Sequence, residues 1–151
     1  MVFRLGEDVT PEMADAELVE AIAGVAAGIE LHNYRFWYGA PTSQELISSN
    51  GIHAGLVIGV AYAPAAINLN AERMQVLVNG RVEAEGVASD VMGGPLISLR
   101  WLAQHALAHG EQVRAGDLVI PGSAVKLVRV SASDQIEARF STVGSCRARL
   151  T

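Results

Sequence analysis

The run Gln75-Val76-Leu77-Val78, Asn79-Gly80, Arg81-Val82-Glu83-Ala84-Glu85 leaves this chain little conformational choice. A two-residue type I′ turn needs positive φ at both central positions, which Asn and Gly tolerate. The flanking runs therefore predict an antiparallel β-hairpin over residues 74–88. A chain that commits one hairpin so firmly must cover its apolar face, and the rest of the sequence supplies further strands. After the turn cluster Ser48-Ser49-Asn50-Gly51, residues 53–62 read as a strand. Residues 23–31 read as a buried strand of small side chains ending at Glu30, and residues 2–5 as the tail end of another. Past Gly116, short strands are expected at 118–120, 125–130, 136–140 and 145–150, punctuated by Pro121-Gly122, Ser133-Asp134 and Val143-Gly144.

Two helices complete the reading. Thr10-Pro11 has the form of a helix start, with a hydroxyl N-cap, proline in the first turn, and Glu12, Asp15 and Glu17 near the positive end of the dipole, giving a short helix at about 11–22. Gly94-Pro95 opens a longer amphipathic helix at about 95–109, closed by Gly110. Its apolar stripe is Leu96, Leu99, Leu102, Ala103, Ala106 and Leu107, with Trp101 on its flank. A short helix or irregular loop occupies the region of Thr42-Ser43-Gln44-Glu45. The class is α+β, dominated by strands.

With 151 residues the chain fits one domain spanning 1–151. Half of it is hydrophobic but only 5% is aromatic, so the core is built from small side chains packed closely. A net charge of −5 without a Lys/Arg cluster argues against a nucleic-acid or anionic-membrane surface. Cys146 is the only cysteine, which precludes an intrachain disulfide and fits a reducing compartment. No stretch of about 18 apolar residues occurs, and the first eight residues carry charges, so a cytoplasmic protein is expected.

The order of pieces, "GIELHNYR", "SSNG", the Asn-Gly hairpin, "GGPLISLRWLAQHALAHG", "VRAGDLVIPGS" and "VGSCRARL", resembles the C-terminal part of the fumarylacetoacetate hydrolase superfamily, in particular its 2-keto-4-pentenoate hydratase and 4-oxalocrotonate decarboxylase group. The resemblance covers nearly the whole chain. It implies a mixed β-sheet roll, a metal-dependent lyase acting on a small 2-oxo acid, and Mg²⁺ or Mn²⁺ held by carboxylates as a Lewis acid. By the same resemblance Glu30 is a metal ligand, a nearby cation offsetting the desolvation of its charge. Arg35, Asn50 and Lys126 then lie close to the substrate.

The chain also departs from the family. Phe3-Arg4-Leu5-Gly6 matches the family's F-x-L-G, and the Glu-x-Glu pair that precedes it there would fall before Met1. The metal site is therefore incomplete, and the N-terminal region that carries a lysine of the family's active site is not represented. The family's Asp-Ser after the glutamate is Asn33-Tyr34, and its Asp-Asn-Ala-Ser loop is Ser49-Asn50-Gly51-Ile52. Relaxed selection both removes and changes residues, so a degenerate lyase-like protein, weakly active or inactive alone, is expected ahead of simple truncation. The competing expectation is a non-enzymatic binding or assembly module, with Phe36, Trp37 and Tyr38 and the 2–5 edge recruited into a homo-oligomer.

Each candidate has a plainer structural role. Glu30 could pair with Arg35 or His32 rather than a metal, and Lys126 could be an exposed strand lysine. Gly93-Gly94-Pro95 could cradle an anion, although capping suffices to explain it. His105 and His109, four apart, could chelate a metal through one helix face, or simply be solvent-facing residues at a helix end that favours positive charge.

Overall fold

A computed structural model describes residues 1–33 and 39–151. The chain forms two antiparallel four-stranded sheets with few helices, the α+β roll expected. In order, β1 is Val2–Leu5, α1 Asp15–Ala21, β2 Ile22–His32, α2 Ser43–Ser48, β3 His53–Tyr62, β4 Arg73–Val78 and β5 Arg81–Val87. They are followed by α3 Pro95–Ala108, β6 Leu118–Val119, β7 Gln135–Phe140 and β8 Ser145–Arg149. The first sheet runs β3-β2-β1-β6 and the second β5-β4-β7-β8. β8 lies against β2 and β3, and this joins the two sheets.

The expectation that the 2–5 strand is an edge recruited into a homo-oligomer is corrected, since β1 is paired on both sides. It sits inside the first sheet, where Phe3 and Leu5 join the core formed with α1, α3 and the second sheet, and Val2 is buried as well. The alanines and glycines of β2 allow this closeness. A Cβ on Gly28 would stand 2.3 Å from Val2 Cγ2, so a larger residue there would push into the strand beside it. The Asn-Gly hairpin forms as expected, with Asn79 at φ 51° and Gly80 at φ 82°. Asn79 is tied to the 131–135 turn, its N–H donating to the Gln135 carbonyl at 2.8 Å.

Three further expectations are corrected. The first helix begins at Asp15, not at Pro11. Arg100 from α3 captures the Met13 carbonyl at 3.1 and 3.3 Å, and Glu17 accepts the Ala14 N–H at 2.6 Å, so the helix nucleates downstream of a turn at Pro11-Glu12. Leu107 is 60% exposed and lies off the buried stripe of α3, whose core contacts are Leu99 and Ala103, with Leu96, Leu102 and Ala106 beside them. Residues 125–130 form no strand. The Ser123 hydroxyl occupies both the N–H and the carbonyl of Val125, and beyond Ala124 the segment is separated from β5 by an open hollow of about 760 Å³. Alternation without a neighbouring edge within hydrogen-bonding reach makes no ladder.

Candidate functional site

Glu30 lies two residues from the end of β2, on the part of that strand that β1 does not reach. β1 pairs only as far as Val2 opposite Ala26, while β3 continues opposite Glu30 and His32. Among the described residues this end of β2 is paired on one side alone, and the Glu30 side chain keeps 29% of its surface exposed. The expectation of a strand ending at a buried Glu30 is corrected accordingly: β2 runs on to His32 and the carboxylate is half-buried.

Both carboxylate oxygens are engaged. Glu30 Oε2 is 3.4 Å from His32 Nε2, and Oε1 is 3.0 Å from His53 Nδ1. Strand periodicity places His32 two residues along β2 on the same face as Glu30, and the sheet register sets His53 opposite His32. His32 is the partner that sequence reasoning weighed, whereas His53 is one that it missed. Its only signal is the pairing of two expected strands 23 residues apart in sequence. Pairs this exposed contribute roughly 0.2–1 kcal/mol each, so they orient more than they stabilise.

Asn50 belongs to the same end of the sheet. The turn Asn50–Ile52 precedes β3, the Asn50 carbonyl accepts the His53 N–H, and the Ile52 carbonyl accepts the Asn33 N–H at 2.9 Å. Asn50 and Ile52 both take positive φ, of 53° and 58°. Lys126 is elsewhere. It lines the hollow beside β5 with Glu83, Glu85 and Arg129, at the edge of the second sheet remote from β8 and hence from β2 and β3. Arg35, with the aromatic run Phe36, Trp37 and Tyr38, lies outside the described residues.

The donor set bears on the metal. A hard cation such as Mg²⁺ takes oxygen ligands, about six of them. Glu30 offers oxygen, but its nearest donors are imidazole nitrogens, and among the described residues no three His, Cys, Asp or Glu side chains are grouped to hold an ion. The described residues thus supply one ligand of the expected kind and no complete site. What the arrangement does offer is a carboxylate holding two imidazoles at the sheet's open end, a geometry suited to fixing the orientation of a ring that exchanges protons.

A second polar centre escaped the sequence altogether. Glu72 is 1% exposed, and its carboxylate accepts the Thr142 N–H at 3.2 Å and the Thr142 hydroxyl hydrogen, anchoring the β7–β8 turn. Nothing in Asn68-Leu69-Asn70-Ala71-Glu72 marks it. Cys146 is buried, and burial pushes its thiol above the ordinary value, the opposite of what an active nucleophile needs. Among the described residues no helix is long and apolar enough to cross a membrane.

Comparison with known proteins agrees with this fold. The chain is 28% identical to 2-hydroxyhexa-2,4-dienoate hydratase of Comamonas testosteroni over 100% of its own length and 58% of that protein's. It is 30% identical to 2-keto-4-pentenoate hydratase of Burkholderia vietnamiensis over 97% of its length and 57% of that protein's. In fold it matches 4-oxalocrotonate decarboxylase of Pseudomonas putida G7, solved with magnesium and adipate, with a TM-score of 0.91 at 22% identity over 99% of this chain and 58% of that one. The chain therefore spans less than three fifths of each of these proteins. The family model described as fumarylacetoacetate (FAA) hydrolase C-terminal matches residues 1–151, and the chain belongs to that family.

Proposed function

We propose that the chain is the β-rich part of a lyase-like protein, a hydratase or decarboxylase of a small 2-oxo acid, and that by itself it is weakly active or inactive. The relatives named for such reactions support the chemistry. The observation that carries the reading is Glu30 at the open end of β2, bracketed by His32 and His53 on a scaffold whose whole length matches the family. In this reading Glu30 contributes one carboxylate to a divalent cation, the class of ion present in the magnesium, calcium and Mn²⁺ complexes of the structural neighbours. The remaining ligands are carboxylates of a second copy of this chain, together with water. Asn50, and by the family resemblance Arg35, are assigned to binding the 2-oxo acid. Lys126 is the weakest member of the set, since it lines the hollow beside β5. A reducing, cytoplasmic setting and the treatment of 1–151 as one domain belong to the same proposal.

The test is a Mn²⁺ titration followed by electron paramagnetic resonance on the wild type and on Glu30→Gln. Binding that disappears in the variant supports the reading, and assays of 2-oxo acid hydration and decarboxylation then follow. No binding by either protein overturns it for this chain.

The alternative, a homo-oligomeric binding or assembly module, draws on one observation. β3 is a ten-residue edge strand with no charged Lys, Arg, Asp or Glu, and Ile58, Val60 and Tyr62 stand exposed along it, Val60 at 72%. Unguarded edges of this kind favour self-association. A concentration-independent monomer in sedimentation velocity would count against this reading.

A further inference from the structure

The outer face of α3 carries Ile97, Trp101 and His105, and His109, its C-cap, continues the spacing of four on the next turn. The Trp101 and His105 rings are 5.1 Å apart and within 9° of parallel, and the His105 and His109 rings are 4.4 Å apart and tilted by 43°. His109 Nδ1 lies 2.8 Å from the His105 carbonyl oxygen. A carbonyl only accepts, so Nδ1 carries a proton, and in the neutral ring the lone pair is on Nε2. Ligating histidines use this arrangement, one ring nitrogen donating to a backbone carbonyl while the other binds the ion.

We propose that His105 and His109 form a two-imidazole surface site for a borderline divalent transition ion, of the class of Cu²⁺, Ni²⁺ or Zn²⁺, with water completing the coordination. Four features converge on this assignment. Two imidazoles side by side on one ion, with metal–nitrogen bonds near 2.1 Å, have ring centres about 4.5 Å apart, close to the spacing already present. An all-nitrogen pair selects these ions over Mg²⁺ or Ca²⁺, with Cu²⁺ bound most strongly. The site sits at the C-terminal end of α3, where the helix dipole favours a cation. Finally, stacking on Trp101 uses the face of the His105 ring and coordination uses its edge, so one does not displace the other. This site is independent of Glu30, whose expected ion takes oxygen donors.

Trp101 is the built-in reporter. In the full chain carrying Trp37→Phe, Cu²⁺ titration is expected to quench Trp101 fluorescence saturably, and Mg²⁺ at the same concentrations is expected to leave it unchanged. His109→Ala, which preserves the Trp101–His105 stack, should raise the Cu²⁺ midpoint at least about tenfold. His53→Ala should leave that midpoint in place. Electron paramagnetic resonance of the Cu²⁺-loaded protein should show coupling to two imidazole nitrogens in the wild type and to one in His109→Ala. An unchanged midpoint in His109→Ala, an equal shift in His53→Ala, or a spectrum without imidazole coupling overturns the proposal. Far-UV circular dichroism confirms that each variant keeps α3.

Discussion

Glu30 and His53 stand 23 residues apart in sequence, yet Glu30 Oε1 and His53 Nδ1 are 3.0 Å apart across the β2–β3 ladder. The contact depends on register. His53 pairs with His32 after an irregularity between Leu31 and His32, which brings the imidazole back toward the carboxylate two residues earlier. Glu30→Gln keeps the shape and removes the charge. Its unfolding free energy is expected to fall by no more than about 1 kcal/mol, because half-exposed pairs contribute little. The His32 and His53 ring resonances are expected to move clearly. Urea denaturation together with nuclear magnetic resonance of the imidazoles checks both, and a loss of several kcal/mol would show that Glu30 is chiefly structural.

Glu72 is the opposite case, a buried carboxylate whose worth lies in the turn it holds. Glu72→Ala leaves the Thr142 N–H and hydroxyl without their acceptor, and because Thr142 is exposed, water takes up part of each bond and the net loss is about 1 kcal/mol per bond. The midpoint of urea unfolding is expected to drop accordingly. In hydrogen exchange the Thr142 amide should lose protection first.

Gly28→Ala tests the close packing of β2. The added Cβ would meet Val2 Cγ2 at 2.3 Å, and Val2 is both β-branched and buried, so β1 must shift. Overpacking of this kind costs about 1–3 kcal/mol, readable as a lower thermal midpoint. Gly55→Ala, on the neighbouring strand with nothing near the new atom, is the matched control and should change stability far less.

Acid should weaken the second sheet through two carboxylates. The Ser131 N–H and then the Asn79 amide, both donating to Asp134, hold its carboxyl below the ordinary 3.8. The Arg139 and Arg147 guanidiniums beside Glu137 hold it below 4.5. The folded state therefore prefers the ionised forms and binds fewer protons than the unfolded state. Their contribution is complete above those ordinary values and is lost as pH falls through them toward the lower folded ones. Asp134→Asn with Glu137→Gln is expected to flatten the fall in urea midpoint between neutral pH and pH about 3. An undiminished fall would place the acid sensitivity elsewhere.

Much of the architecture was legible from local signals. The Asn79-Gly80 hairpin, strands 53–62 and 136–140, and the helix opened by Gly94-Pro95 were each set by turn chemistry or by apolar period acting over a few residues. The family order was legible for the same reason, since short motifs in a fixed sequence need no contact map. Glu30 could be singled out as a charge at the end of an apolar run, and Asn50 as part of the loop before the next strand.

What lay beyond the sequence depended on partners distant along the chain. Arg100, taking the Met13 carbonyl, moved the start of α1. The reach of β1 left Glu30 half-exposed rather than buried, and the β2–β3 register chose His53 as its partner. Residues 125–130 have the alternation of a strand and lack an edge within reach. Lys126 accordingly lies on a different sheet edge from Glu30. The sequence by itself determined the Asn79-Gly80 turn, most of the strands and the long helix, because those preferences reside in one or a few adjacent residues. Only the tertiary structure decided which side chains meet, because a ladder's register and its end are properties of two strands together.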